Sequence, residues 1–282
     1  MDATVLWPTL ETLGVVTLAA MGACGGLWFS RLPKPYWSLG YFVPFCIVLM
    51  IGATRRNSVM EFVPPFSWLV AGRTEFALTA PVVTMLLSTP LSRLSRKGDR
   101  RAVLALMTVV VFVIAVWPFL APAFNRKHLV SLRTNIDSEG ICHQSNQYNC
   151  GPAAAVTGLR RLGFAAEEGE IAILAHTSTA IGTPADILAA ALREKYGSQG
   201  LICEYRHFKS VFELTNAPIT LAVIKFALML DHYVTILDVT SDHVIVGDPL
   251  VGKTSYTHAD FAKRWRFNGV ILKRKSAGAE RG

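Results

Sequence analysis

The stretch Gln144-Ser-Asn-Gln-Tyr-Asn-Cys-Gly-Pro-Ala-Ala-Ala-Val-Thr-Gly-Leu159 predicts a short loop followed by a helix that begins at a cysteine, Cys150. Asn149 is a favourable N-cap, Pro152 suits the first turn, and Gly163 suits the position just after the last turn. At a helix start, the macrodipole and the backbone N–H groups favour the thiolate of Cys150, which is its nucleophilic form. Because a cysteine at this position can also be purely structural, its partners decide whether it is a catalytic nucleophile.

A second stretch, Asp231-His-Tyr-Val-Thr-Ile-Leu-Asp-Val-Thr-Ser-Asp-His-Val-Ile-Val-Gly-Asp248, contains two runs of β-branched residues separated by polar residues. This pattern predicts an antiparallel hairpin with its turn near Thr240. Pairing about that centre sets His232 opposite Asp248, within side-chain reach. A base and a carboxylate that orients it would complete the requirements for nucleophilic catalysis by the cysteine. The other histidine of the hairpin, His243, is expected to lie near the turn in solvent.

These residues resemble the double-glycine leader peptidases, the papain-like family thirty-nine of cysteine peptidases, which process bacteriocin precursors and are often fused to ABC exporters. The resemblance covers about residues 136–274 and rests on a Gln six places before a Cys-Gly, a His-Tyr-Val about 80 residues later, and an Asp-Pro. It implies four site residues: Cys150 as nucleophile, His232 as general base, Asp248 as the residue that orients the imidazole, and Gln144 as an oxyanion-hole donor. Gln147 is an alternative to Gln144, although only Gln144 has the spacing of the family.

Alternating short helices and strands predict an α+β domain with an antiparallel sheet over residues 128–275, followed by a flexible tail over 276–282. The resemblance implies a papain-like fold for this domain. No cysteine or histidine spacing suits zinc, and no Walker A motif is present, so no metal or cofactor is expected. Cys142 and Cys203 could form a disulfide in an oxidising compartment, or remain two buried thiols.

The first half, residues 1–127, predicts a helical membrane domain. Four apolar stretches approach the roughly 20 residues that cross a bilayer, and they lie near residues 12–29, 36–53, 76–91 and 102–124. Two prolines, Pro118 and Pro122, would end or kink the last helix. This half has 12 Lys and Arg against 5 Asp and Glu, a net charge of +7. Because these basic residues lie in short loops, they indicate membrane topology and not nucleic-acid binding.

The distribution of basic residues also predicts an orientation. The loop from Arg93 to Arg101 is the most basic, and the loop with Arg31 and Lys34 lies on the same side if there are four spans. Basic loops are typically cytoplasmic, which places the second half on the extracytoplasmic side of a bacterial inner or plasma membrane. Asp2 and Glu11 precede any Lys or Arg, so no cleaved signal peptide is expected.

The sequence therefore predicts a membrane-anchored cysteine peptidase of bacterial type that acts on a peptide or a precursor protein. Its further partners would be the lipid bilayer and a separate exporter. Two alternatives remain open. One is a papain-like membrane receptor or peptide-binding module without turnover, and the other is an acyltransferase that uses the same thiol.

Overall fold

The structure is a computed structural model that describes residues 3–57, 59–71, 73–217, 219–227 and 230–275. It divides into two compact units, Met1–Phe124 and Asn125–Gly282. The tail predicted over residues 276–282 lies outside the described residues. The domain boundaries drawn from the sequence stay predictions.

The first unit is helical, as its apolar composition predicts. Its α-helices, the last of which continues into the second unit, are α1 (Ala3–Ser30), α2 (Leu39–Arg56), α3 (Phe66–Val70), α4 (Thr74–Ser88), α5 (Lys97–Val111) and α6 (Trp117–Val130). Short 3-10 helices occupy Tyr36–Ser38, Met60–Phe62 and Leu91–Arg93. Among the described residues, four helical stretches are long and apolar enough to cross a membrane: Pro8–Ser30, Tyr36–Arg56, Thr74–Arg93 and Lys97–Val130.

The sequence predicted that Pro118 and Pro122 would end or kink the last helix. In the structure, the helix does not end at either proline. A π-helical turn, Phe112–Val116, joins α5 to α6, and helix continues past Pro122 to Val130. A proline removes one N–H donor from the helix, and a wider turn just before it is a common accommodation. The chain therefore remains helical through the end of the span.

Contacts between the helices show their relative directions. A side chain at Gly22 would collide with Pro81 and Thr84, and one at Gly26 would lie 2.6 Å from the Met85 carbonyl oxygen, so α1 and α4 run parallel. Small residues of this kind let helix backbones approach closely in membranes. Helices α2 and α4 run antiparallel. Gly40 at the start of α2 accepts a hydrogen bond from Thr89 Oγ1 just after α4 (3.4 Å), and Arg55 at the end of α2 forms an ion pair with Glu75 at the start of α4.

The fourth span runs antiparallel to α4, because the Arg73 guanidinium at the start of α4 lies 6.0 Å from the Phe119 ring near the end of that span. Consecutive spans therefore alternate in direction. As a result, the N-terminal end of α1 and residue 124 lie on the same side of this unit.

The second unit is an α+β domain. Its elements are β1 (Asn135–Ile136), β2 (Cys142–His143), α7 (Cys150–Arg161), α8 (Glu168–Leu174), α9 (Ala185–Tyr196), β3 (Leu201–His207), β4 (Ile219–Ala227), β5 (Leu230–Val239), β6 (His243–Asp248), β7 (Gly252–Thr257), α10 (His258–Arg264) and β8 (Trp265–Arg274). Short 3-10 helices occupy Gly197–Gln199 and Val211–Asn216. Six strands form an antiparallel sheet in the order β3-β8-β4-β5-β6-β7, while β1 pairs with β2. The predicted α+β domain with an antiparallel sheet is confirmed.

Helix α7 lies directly on the sheet. A Cβ at Gly158 would lie 3.0 Å from both Ile219 Cγ2 of β4 and Leu272 Cδ1 of β8, so a larger residue would require these side chains to move. Thr235 of β5 donates a hydrogen bond from its Oγ1 to the Ala154 carbonyl oxygen (2.8 Å), which joins helix and sheet a second time. These contacts fix the position of the first turn of α7.

The sequence predicted the C-terminal end of α7 correctly and its N-terminal end in part. Gly163 adopts the left-handed conformation (φ +79°) that ends the helix, as predicted. Asn149 is the N-cap residue of α7, as predicted, but its side chain makes no capping hydrogen bond. The reason is its backbone conformation (φ −100°, ψ 13°), which is not the extended conformation from which a side chain reaches the first free N–H groups.

The opposite face of the sheet carries a second hydrophobic core. Phe261 and Trp265 are fully buried there, with ring centroids 5.4 Å apart, and Phe208 packs against Trp265. Phe261 and Trp265 therefore form core contacts. The sheet is therefore covered on both faces, by α7 on one side and by this aromatic cluster on the other.

Candidate active site

Cys150 is the first residue of α7, and its side chain is largely buried. The next residue is closely packed, because a Cβ at Gly151 would lie 3.3 Å from Thr183 Cβ and 3.4 Å from the Tyr233 ring. The Tyr233 hydroxyl donates a hydrogen bond to the Thr183 carbonyl oxygen (3.0 Å). The loop that precedes α9 is thus held against the turn that presents the nucleophile.

His232 and Asp248 form a buried pair, with 4% and 6% of their surfaces exposed. His232 Nε2 lies 2.7 Å from Asp248 Oδ1, and the Leu250 N–H donates to the same oxygen (2.8 Å). Because Nε2 faces the carboxylate, Nδ1 is the ring nitrogen that remains for Cys150. The structure therefore brings a thiol, an imidazole and a carboxylate together in the order that nucleophilic catalysis requires.

The protonation of His232 follows from these neighbours. Burial alone would lower the pKa of His232, but hydrogen bonds with Asp248 and Cys150, together with their negative charges, raise it to about 9. The imidazolium form is consequently favoured at neutral pH. A cation at this position stabilises a thiolate on Cys150.

The strand register that the sequence predicted is wrong. Strands β5 and β6 do form an antiparallel hairpin, but Thr235 pairs with Gly247 and Ile236 with Val246, a shift of two residues from pairing about Thr240. A shift of two keeps every side chain on its original face of the sheet, whereas a shift of one would reverse it. His232 and Asp248 are therefore diagonal neighbours, which still reach each other.

A β-bulge makes this arrangement possible. Next to the turn Val239 pairs with Val244, but the register changes between Ile236 and Asp238. If the pairing at the turn continued without the extra residue, His232 and Asp248 would point to opposite faces of the sheet. No glycine or proline marks this position, and no sequence signal would have identified it.

Gln144 lies in the loop before α7, and its backbone N–H donates to the Pro249 carbonyl oxygen (3.0 Å), which ties this loop to the turn after Asp248. The side-chain Nε2 donates one proton to the Asn146 carbonyl oxygen (2.8 Å) and retains a second one. Within the described residues, the buried Gln144 Oε1 has no hydrogen-bond partner. Gln147, the alternative, is exposed.

Glu168 is a residue that the sequence did not single out, because it stands in a run of acidic residues typical of a solvated surface. It is fully buried, and its carboxylate accepts hydrogen bonds from Ser145 N (2.9 Å) and Ser145 Oγ (2.6 Å). Since Ser145 follows Gln144, this carboxylate fixes the loop that carries Gln144.

Other histidines and cysteines of the domain have surroundings of their own. His243 is partly exposed beside the turn, as predicted, and it pairs with Asp242, while His143 pairs with Asp137 (3.1 Å). The hypothesis of a disulfide is wrong in this structure, since Cys142 and Cys203 are free, and burial raises the pKa of each thiol to about 12. Among the residues that the structure describes, no group of three or more metal-ligating side chains is present.

These environments predict selective thiol labelling. In a full-length Cys24→Ala/Cys46→Ala background, which removes the two exposed cysteines, iodoacetamide at neutral pH should modify Cys150 and leave Cys142 and Cys203 intact. Cys142 and Cys203 remain protonated because burial raises the pKa of their thiols, whereas Cys150 has the cationic His232 beside it. Mass spectrometry of proteolytic fragments measures the modification. Equal labelling of all three cysteines in the folded protein would contradict the assignment, and labelling in denaturant is the control.

Comparisons with known proteins match the C-terminal part of the chain, which contains these residues. The family model of the peptidase C39 family matches residues 138–277. An uncharacterised protein of Methanothermobacter marburgensis is 28% identical over 144 residues, which cover 51% of this chain and 95% of that protein. A protein of Methanothermobacter thermautotrophicus is 27% identical over 143 residues, 51% of this chain and 94% of its own length.

Two solved structures are similar to the same region. The peptidase domain of Streptococcus ComA, a bi-functional ABC transporter, is 19% identical with a TM-score of 0.41, covering 47% of this chain and 96% of that domain. A double-glycine motif protease from an AMS/PCAT transporter, solved with its leader peptide, is 16% identical with a TM-score of 0.41, covering 51% and 96%. The family match confirms the resemblance found in the sequence, and the C-terminal domain of this chain belongs to the peptidase C39 family of cysteine peptidases.

Proposed function

We propose that this chain is a membrane-anchored cysteine peptidase that works through Cys150, His232 and Asp248, with Gln144 as an oxyanion-hole donor. The observation that carries the proposal is the buried His232–Asp248 pair, 2.7 Å apart, beside a cysteine at a helix start. A protein that only binds peptides has no use for this arrangement, and leaving a charged pair buried is costly.

In the proposed reaction, the Cys150 thiolate attacks the carbonyl carbon of the scissile peptide bond. The oxyanion that forms accepts hydrogen bonds from the backbone N–H of Cys150 and from the second Nε2 proton of Gln144. His232 then gives its proton to the leaving amine, the C–N bond breaks, and a thioester remains. Neutral His232 takes a proton from water, the hydroxide attacks the thioester, and the acid product leaves as the thiolate–imidazolium pair re-forms.

The proposed substrate is a peptide or a precursor protein cleaved after Gly-Gly or Gly-Ala. This substrate class rests on the family to which the domain belongs, whose members process double-glycine leaders. A separate exporter is the proposed partner for the released peptide.

Substitution of the nucleophile tests the activity. Cys150→Ala should abolish cleavage of a fluorogenic peptide that contains Gly-Gly, because the thioester cannot form, and mass spectrometry should show hydrolysed product with the unsubstituted protein. Cys46→Ala, which removes an exposed cysteine of the membrane unit, is the matched control and should retain full activity. Full cleavage by Cys150→Ala would refute the proposal, and transfer of the acyl group to an amine would identify an acyltransferase instead.

The pH dependence of turnover tests the role of Asp248. Activity should decline on the basic side with a midpoint near pH 9, where His232 loses its proton. Because this pKa lies above the ordinary histidine value of about 6.5, the pair contributes stability that is complete below that pH and is lost as pH rises through 9.

Asp248→Asn should move the basic midpoint toward the ordinary histidine value, because the charge and the strongest raising interaction are lost. The partly exposed His243→Gln is the control and should leave the profile unchanged. An unchanged midpoint in Asp248→Asn would show that Asp248 does not orient or stabilise the imidazolium.

The orientation that we propose places the peptidase domain outside the cytoplasm of a bacterial inner or plasma membrane. On the side where the N-terminal end of α1 and residue 124 lie, Arg55 pairs with Glu75 and Arg73 with Glu11. The loops on the other side contain seven basic residues and one acidic residue: Arg31, Lys34, Arg93, Arg96, Lys97, Arg100, Arg101 and Asp99. Such an imbalance marks the cytoplasmic side.

Reporter fusions test this orientation. Alkaline phosphatase, which is active only outside the cytoplasm, should be active when fused after residue 275 and inactive when fused after Lys97. The two fusions share the same promoter and reporter, so each is the control for the other. The reverse pattern of activity would place the peptidase domain in the cytoplasm.

A further inference from the structure

The segment that leads from the last span into the peptidase domain, residues 125–134, packs on the loops around Cys150. We call it the juxtamembrane segment, and it belongs to the same compact unit as the site. Asn125 Nδ2 donates to Thr179 Oγ1 (3.3 Å) in the loop before α9. His128 Nε2 lies 3.3 Å from Asn146 Nδ2. The carbonyl oxygen of Asn146 also accepts the hydrogen bond from the Gln144 side chain.

The strongest contact of this segment is with the first turn of α8. Leu129 is 1% exposed, and a side chain at Gly169 would collide with its carbonyl oxygen. Thr134 Oγ1 accepts the backbone N–H of Glu168 (2.9 Å). The turn at Glu168 and Gly169 is therefore held by the juxtamembrane segment through its backbone.

The same turn holds the loop of Gln144 through a side chain. Both oxygens of the Glu168 carboxylate are used by Ser145, and the carboxylate is fully buried. Charge-assisted hydrogen bonds of this kind are short, directional and strong. Glu168 consequently bonds to the juxtamembrane segment through its backbone N–H and to the Gln144 loop through its carboxylate.

We propose that the juxtamembrane segment is a positioning element of the active site and that Glu168 carries its position to the loop of Gln144. The inference rests on the proposed function, because it gives Gln144 the role of oxyanion donor. In this chain, the residues that follow the last apolar helix belong to the same compact unit as the active site.

Positioning matters here because an oxyanion donor acts only at the correct distance. Gln144 Nε2 is held by Asn146 O, and the loop between them is fixed at Ser145. Loss of one oxyanion donor typically costs on the order of 10²-fold in rate, and displacement of a group by about 1 Å can be as severe. Nucleophilicity of Cys150 depends on His232 instead, so the two properties can be measured separately.

Two probes of Cys150 measure oxyanion stabilisation and thiol nucleophilicity separately, and neither requires knowledge of the natural substrate. With acetylglycine p-nitrophenyl ester, the thiolate attacks the carbonyl, an oxyanion forms, the C–O bond breaks, and p-nitrophenolate leaves while the thioester forms. With iodoacetamide, the thiolate displaces iodide at a saturated carbon and no oxyanion forms. Both rates are measured on the full chain in detergent, in the Cys24→Ala/Cys46→Ala background.

Gln144→Ala should lower the acylation rate by on the order of 10²-fold and leave alkylation within about twofold. Glu168→Gln and Gly169→Ala should each lower acylation by about tenfold, again with alkylation unchanged. Two matched controls should leave both rates unchanged. They are Glu167→Gln, whose side chain is mostly exposed, and Gly197→Ala, where a Cβ meets nothing within 4 Å.

A double-mutant cycle decides whether Glu168 acts through Gln144. In the Gln144→Ala background, Glu168→Gln and Gly169→Ala should each lower acylation by less than about twofold further, because the group they position is already absent. Equal losses in both backgrounds, a parallel fall of acylation and alkylation, or unchanged acylation in the single variants would overturn the inference. Failure of Cys150 to react with either probe in the parent protein would instead refute the proposed function, and the inference with it.

Discussion

The close approach of α7 to the sheet is the constraint on which the active site depends. Gly158 lets the helix backbone pack directly on β4 and β8, and Thr235 bonds to the backbone of the same helix. Because a helix is rigid, contact at its middle fixes the direction of its first turn. Cys150 is thereby presented to His232 on β5, and Gly151 leaves room for Thr183 and Tyr233 on the other side.

The two buried carboxylates of the site are stabilised by hydrogen-bond donors that face them. Asp248 accepts from both His232 and Leu250 N, and Glu168 accepts twice from Ser145. Removing one member of a buried charged pair typically costs about 3–5 kcal/mol, since the other is left without compensation. The network that orients the catalytic groups is thus also part of what holds the loops of the domain together.

The helical unit shows the same combination of close packing and paired charge. Gly22 and Gly26 bring α1 against α4, while Arg55 and Arg73 have carboxylate partners at the helix ends. Small residues replace the hydrophobic effect as the source of helix association in lipid, where apolar side chains gain nothing by leaving their surroundings. Because Arg55 and Arg73 are paired with carboxylates, their end of the unit has a smaller excess of positive charge than the end with the basic loops.

By itself, the sequence determined the elements whose signals are local: the four apolar stretches, the helix that begins at Cys150 and ends before Gly163, and the β5–β6 hairpin. Strand pairing predicted His232 and Asp248 as partners of Cys150, and the resemblance to the family predicted the role of Gln144. Only the tertiary structure decided the strand register, because the bulge between Ile236 and Asp238 depends on how β5 packs between its neighbours and carries no local signal. The burial of Glu168 was equally invisible, since an acidic residue becomes buried only where distant segments supply its hydrogen bonds.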